Sequence, residues 1–341
     1  MVKAGSALLF LLAVAAEGGS PVVDTPRVPS QGLLLVANKG EHTLGLIDVE
    51  AGRQVATVEE SGITGHEVIA SPDGRTAYVP IYGNSGVGKP GTDGQTLDVI
   101  DIASRQRVAT IDLGRAERPH CPLFGPDGRL YVTSEITNTV TVIDPRTRQI
   151  VDRIPTGQAE SHMLALTRDG KRAYTSNVGV GTVSAIDLVG KKVTAVIPVA
   201  KIAQRISLSV DDRRVFTSDQ TEARLAVIDT ATNKVAQWVS LPGLGYGTAP
   251  TPDGRWLLVS VLSANKVAVL DLTSMTIAHT IDVPKAPQEV VVRPDGRFAY
   301  VSCDASHQVA VLDLKEWKVD RLIDAGAQAD GLAWAAIPGA H

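Results

Sequence analysis

Val142-Ile143-Asp144, an apolar β-branched pair closed by a carboxylate, recurs as Leu46-Ile47-Asp48, Val99-Ile100-Asp101, Ala185-Ile186-Asp187, Val227-Ile228-Asp229, Val269-Leu270-Asp271 and Val311-Leu312-Asp313. Successive Asp positions differ by 53, 43, 43, 42, 42 and 42 residues. That period is the length of one four-stranded propeller blade, so seven copies predict seven blades, and the one long interval predicts an insertion in the second. A turn signal keeps the same beat: Pro72-Asp73-Gly74, Pro126-Asp127-Gly128, Arg168-Asp169-Gly170, Val210-Asp211-Asp212, Pro252-Asp253-Gly254 and Pro294-Asp295-Gly296. Each separates two apolar runs, as a hairpin requires.

Alternation and β-branched content place four strands, A to D, within a period. In the fourth repeat they are His162 to Leu166, Arg172 to Ser176, Thr182 to Asp187 and Lys192 to Pro198, and nothing reads as a helix. The chain opens with strands B, C and D, at Leu33 to Ala37, Thr43 to Asp48 and Gln54 to Val58, and ends with a lone strand A at Asp330 to Trp334. The last strand must therefore complete the first blade, which removes free sheet edges and makes residues 32–337 a single closed ring. The expected fold is all-β: a seven-bladed β-propeller with four antiparallel strands per blade and the C-terminal strand closing the first.

The wording Arg129-Leu130-Tyr131-Val132-Thr133-Ser134 and Arg297-Phe298-Ala299-Tyr300-Val301-Ser302, each after an Asp-Gly turn and before a Val-x-Val-Ile-Asp strand, resembles the YVTN β-propeller repeat family. The resemblance covers residues 32–337. It implies the fold rather than a function, because that family includes surface-layer modules, exported binding proteins and a few enzymes.

Composition bounds the rest. The chain has 341 residues, 44% hydrophobic and 21% charged, with a formal net charge of -4. Without a global basic field, nucleic acid is not expected as a partner. Cys121 and Cys303 are too few for a disulfide scaffold, and their places in blades far apart argue against pairing. Lys3, the apolar run Ala7 to Ala16 and the small-x-small pattern Ala13-Val14-Ala15 read as a signal peptide over residues 1–16, followed by a Gly- and Pro-rich leader over 17–31. Ten apolar residues cannot span a bilayer, and no cysteine follows them for lipid attachment. A periplasmic or extracellular protein, monomeric and without a transmembrane segment, is expected.

Function is sought in the central channel, which strand A lines. Its first residue, seven before the turn Asp, reads His66, His120, His162, Gln204, Tyr246 and Gln288, with Asp330 one repeat on. All are polar or amphipathic, while their strand neighbours are aliphatic. In circular order Asp330, His66, His120 and His162 occupy four consecutive blades. Three imidazoles and a carboxylate are a ligand set for Zn, Cu or non-haem Fe. A wet polar channel or a small-ligand pocket is the other reading. The opposite arc, Gln204, Arg205, Tyr246, Gln288 and Glu289 together with Arg118, suits hydrogen bonding to an organic ligand. Glu67, Glu160, Glu135, Asp219, Asp304 and His307 are expected to gather round the same mouth, each alone reading as a solvated loop charge. The insertion Gly83 to Gln95 lies in a B to C loop beside His66, as a lid or as a tolerated surface loop. Its glycines do not form a phosphate loop.

Enzyme signatures are few. No Gly-x-Ser-x-Gly elbow or Cys-x-x-Cys pair is present, and Trp238, Trp256, Trp317 and Trp334 lack the regular repetition of quinone-cofactor propellers. Arg118-Pro119-His120-Cys121 with Gly125-Pro126-Asp127-Gly128 is similar to a strand of the lactonase branch of seven-bladed propellers. That likeness implies His120 or His162 acting with Arg118, Arg205 and Glu289, although the branch's longer loops are missing here. Cys121 reads as a small buried thiol before it reads as a nucleophile. The sequence thus points to an exported propeller that binds a small ligand, metal or protein partner at the channel mouth. The alternative is a lactonase-like hydrolase or ring-opening enzyme.

Overall fold

The computed structural model describes Met1, residues 31–84 and residues 86–337. The expected signal peptide and most of the leader lie outside the described residues. Seven four-stranded antiparallel sheets form a seven-bladed propeller. The first blade joins Gly32–Asn38, Thr43–Asp48 and Arg53–Glu59 to the C-terminal strand Ala329–Ala336, which pairs with the first strand from Gly32↔Ala336 to Asn38↔Ala329. The ring therefore closes by pairing the two ends of the described chain.

The repeat signals have local causes. The carboxylate that ends strand C caps the following hairpin: Asp48 Oδ1 accepts from the Glu50 and Ala51 amides at 3.0 and 2.9 Å, and Asp229 Oδ1 from Ala231 and Thr232 at 3.1 and 2.8 Å. The A to B turn needs a left-handed residue, supplied by Gly74, Gly128, Gly170, Gly254 and Gly296. In the fifth blade Asp212 takes that conformation with φ 58°, which explains why Asp-Asp stands where the other turns read Asp-Gly. Strand C is buried along its middle on both faces because neighbouring blades stack against it, whereas the rim strand D alternates, as in Lys192–Pro198. Between the sixth and seventh blades, for example, Leu258, Val267, Val290, Ala299 and Leu312 form one core cluster.

Two expectations are corrected. Single 3-10 turns follow strand B at Val178–Val180, Leu262–Ala264 and Asp304–Ser306, so the period is not wholly free of helix. In the second blade the paired part of strand A is only Ile69–Ala70, which leaves His66 in the preceding loop, where Gly65 bridges Ile81.

What aims the inner strands at the channel is a repeated bulge. Register shifts fall between Pro119/Pro122, Ser161/Met163, Ala203/Ile206, Gly245/Thr248 and Pro287/Val290, at the positions read as channel-lining. A bulge leaves backbone groups unpaired and redirects side chains. Hydroxyls at the third position of the Tyr-Val-Thr-Ser motif take up these groups. Thr133 Oγ1 accepts from the Cys121 amide at 2.9 Å and donates to the His162 carbonyl of the next blade at 2.6 Å. Ser260 Oγ likewise joins the Gly247 amide to the Gln288 carbonyl at 2.7 and 2.6 Å. The motif's hydroxyl is thus an inter-blade tie.

Candidate functional site

Three positions of the repeat supply residues to the mouth. The first is the start of strand A. The second is the residue after it, turned inward by the bulge at Arg205 and Glu289 and carried by the loop before Ile69 at Glu67. The third stands at the end of strand B or directly after it and gives Lys39, Tyr82, Glu135 and Asp304 in the first, second, third and seventh blades. Sequence reasoning missed Lys39 and Tyr82 and took Glu135 for a loop charge. Their common position, directly after the Tyr-Val-Thr-Ser tetrapeptide, is the signal that finds them.

On one arc the aromatic rings pack together. His66 stacks on Tyr82 with centroids 4.4 Å apart, His120 meets His66 edge-on at 5.6 Å, and His120 lies over His162 at 3.6 Å. Glu135, 3% exposed, accepts from Tyr82 Oη at 2.7 Å and pairs with His162 Nδ1. With Nδ1 carrying the proton toward Glu135, His162 Nε2 accepts from Gln204 Nε2 at 3.2 Å. His120 is buried and its Nδ1 has no partner. Burial holds the His120 imidazole well below its ordinary range, and the neighbouring His162 and His66 add to this. Burial likewise holds His66 down at about 3, against the pull of Asp330. Both rings are neutral at physiological pH.

On the other arc one guanidinium gathers carboxylates from three blades. Arg205 Nη2 lies 2.7 Å from Glu67 Oε1 and 3.0 Å from Asp330 Oδ1, while Nη1 pairs with Glu289. The Tyr246 ring lies beside it, 5.3 Å from Cζ to the centroid. Lys39 Nζ holds the other oxygen of Asp330 at 3.0 Å and Asp304 at 3.3 Å. Burial raises Glu67 well above the usual carboxylate range, and Arg205 opposes that only in part. Burial would raise Asp330 too, but Lys39 and Arg205 outweigh it and hold Asp330 low. Gln288 lies at this mouth with its Oε1 unpartnered.

The structure brings His66, His120 and His162 together, and it turns Asp330 toward Arg205 and Lys39. Among the described residues, no group of three or more His, Cys, Asp or Glu is arranged to hold a metal ion. Arg118 is tied down at the edge of the mouth: its guanidinium lies over the Tyr82 ring, 5.8 Å from Cζ to the centroid, Nε pairs with Asp93 at 2.5 Å and Nη2 donates to the Lys89 carbonyl at 2.6 Å. It thereby anchors the insertion, whose Gly88 lies against Glu160 of the fourth blade. Asp219 is buried, capping Thr221 and pairing with Arg224, so it is not the solvated charge expected, whereas His307 is exposed and its Nδ1 accepts the Gln328 amide. Cys121 and Cys303 are free and buried.

Beside His66 a cleft of about 420 Å³ opens at the mouth, lined by Lys39, Gly40, His42, Ile63, Thr64, His66, Gly83, Asn84, Gly86 and Gln328. Grooves on the opposite face differ in kind. Those lined by Arg214 and Leu272 and by Trp256 and Leu314 are repeat-equivalent gaps between adjacent blades, a product of the fold.

Residues 124–338 match the family described as the cytochrome D1 heme domain. The chain belongs to that family. Its fold is shared with solved structures of low identity. A chain of Kuenenia stuttgartiensis hydrazine synthase is 20% identical, with TM-score 0.71, over 86% of this chain and 99% of its own. A functionally unknown protein from Desulfotomaculum acetoxidans is 11% identical, with TM-score 0.75, over 89% and 99%. The dihydro-heme d1 dehydrogenase NirN in complex with DHE is 16% identical, with TM-score 0.63, over 92% and 78%. No curated protein matches this member of the cytochrome D1 heme domain family. None of its described helices is long and apolar enough to cross a membrane.

Proposed function

We propose that the protein is an exported binding propeller that takes a small polar molecule in the cleft over His66. The observation that carries this reading is the lining. Of the described side chains lining the cleft, Lys39 alone is formally charged, and His66, His42, Thr64, Asn84 and Gln328 offer hydrogen-bonding groups. A volume of about 420 Å³ matches a small organic ligand. The Lys39 ammonium already holds Asp330 and Asp304, so a ligand with an acceptor oxygen, such as a carboxylate, would join it as a further partner. A thermal-shift screen of small mono- and dicarboxylic acids tests it. The expected result is stabilisation by at least one acid, lost in His66→Ala. No stabilisation by any, or stabilisation that survives His66→Ala, would remove the reading.

A transition metal is the second reading, favoured by the unpartnered, buried Nδ1 of His120 between two further imidazoles. It requires His162 to leave Glu135 or Gln204. Calorimetry with Zn and Cu on wild type and His120→Ala tests it, and uptake unaffected by the substitution would end it. Lactone ring opening draws support only from the Glu135–His162 dyad, which is buried and has both ring nitrogens engaged.

A further inference from the structure

The family to which the chain belongs is described by a heme, so its channel can be asked whether it has room for one. A flat macrocycle held between two side chains needs carbon contacts of about 3.5 Å on each side, a slot of roughly 7 Å. The channel rings leave none: His120 and His162 are 3.6 Å apart and His66 and Tyr82 4.4 Å. The remainder of the mouth is crossed by Arg205, which starts on the fifth blade and ends among carboxylates of the first, second and seventh. The residues present do not fit a tetrapyrrole in the channel.

We infer that Arg205 is the channel's resident cation: its guanidinium fills the point where Glu67, Glu289 and Asp330 meet, the place a bound ion or cofactor would take, and closes this axis to a tetrapyrrole. Three carboxylates from three blades cannot converge in a buried site without a positive charge between them, because an uncompensated buried charge is strongly unfavourable. A planar fork with five donors satisfies several acceptors at once. Arg205 is only 3% exposed, and Tyr246 covers it from the side. Lys39 completes the balance by holding Asp330 and Asp304. The cation is thus encoded in the chain, and exchange of ligands is left to the cleft above.

Two measurements test this. In a hemin titration followed at the Soret band, wild type is expected to show no saturable one-to-one complex, and such a complex would overturn the inference. Arg205→Ala leaves three carboxylates facing one another, an oxygen-rich set suited to Ca2+. Millimolar Ca2+ is then expected to raise the variant's Tm by roughly 2–3 °C while leaving wild type unmoved. A variant as stable as wild type and indifferent to Ca2+ would overturn it. Should Arg205→Ala not fold, the order of Tm among Arg205, Arg205→Lys and Arg205→Gln decides. A cation role places Lys above Gln, and Gln equal to or above Lys would refute it. Failure of the carboxylic-acid screen bears on the cleft and leaves these outcomes unchanged.

Discussion

Asp330 is gripped by two cations on opposite oxygens, Oδ1 by Arg205 Nη2 at 3.0 Å and Oδ2 by Lys39 Nζ at 3.0 Å. It is the carboxylate of the hub that the surroundings hold below its ordinary range, whereas Glu67 and Glu289 are pushed up by burial. Asp330→Asn should therefore be costly, about 3–5 kcal/mol, the range for stranding one side of a buried ion pair. Glu67→Gln should cost less, because burial already pushes its carboxyl up toward the neutral form. The sign of the pH effect follows. A depressed carboxyl gives stability that is present above its unfolded value of about 3.9 and is lost as pH falls through the lower folded value. Urea unfolding of both variants at neutral pH checks the ranking, and equal losses would contradict it.

Glu60 behaves in the opposite sense. Its Oε2 accepts the Gly65 amide at 2.7 Å beneath the loop that carries His66, and burial, helped by nearby Asp98, raises its carboxyl to about 7. Asp98 is itself held by Ser61, Thr110 and Arg107. A raised carboxyl favours folding while protonated, so its contribution is full below the unfolded value of about 4.3 and is gone once pH passes 7. Glu60→Gln keeps the acceptor for Gly65 and removes the charge. It should match wild type near pH 4.5 and exceed it by up to about 3 kcal/mol at pH 8. A variant less stable than wild type at pH 8 would show that the ionised carboxylate is needed.

The thiols offer a simpler check. Cys121 sits among core residues of the third and fourth blades and Cys303 in the core of the seventh, and burial raises both, Cys303 to about 12. A thiolate is the reactive form, so neither should react in the folded protein. A thiol reagent at pH 8 should modify none before denaturant and two after it. Rapid native modification of Cys121 would reopen it as a nucleophile.

Blade number, strand order and ring closure were legible because they rest on local chemistry repeated seven times: a capping Asp, a left-handed turn residue and a buried β-branched run each leave a mark at a fixed period. Convergence of His66, His120 and His162 was legible for the same reason, since equivalent positions on successive blades face one axis. The partner of each side chain was not. Whether Asp330 turns toward an imidazole or toward Arg205 depends on the length and reach of a side chain three blades away round the ring, and no period records that. Arg118 shows the same limit, because its partners Asp93 and the Lys89 carbonyl lie in the one segment that breaks the repeat.

Closure of the ring carries the last prediction. Ala329–Ala336 supplies the inner strand of the first blade, buries Ala329, Leu332, Ala333 and Ala335, and stacks Trp334 on Tyr300 of the seventh blade at 5.6 Å with the rings 4° from parallel. Removing it does more than delete these contacts. It exposes the inner edge of Gly32–Asn38, whose middle residues are fully buried, and takes Asp330 away from Lys39 and Arg205. An unpaired apolar edge is also a template for association. A chain truncated after Gln328 should therefore lose the cooperative transition of the whole propeller and aggregate, rather than unfold with one blade missing. Trp334→Ala separates packing from closure: the strand still pairs, so the variant should stay folded with one transition, lowered by about 3 kcal/mol or less for a ring that is only partly buried. Circular dichroism melts with sedimentation of both proteins decide it. A truncated chain that melts cooperatively as a soluble monomer would mean that the other six blades stand without the clasp.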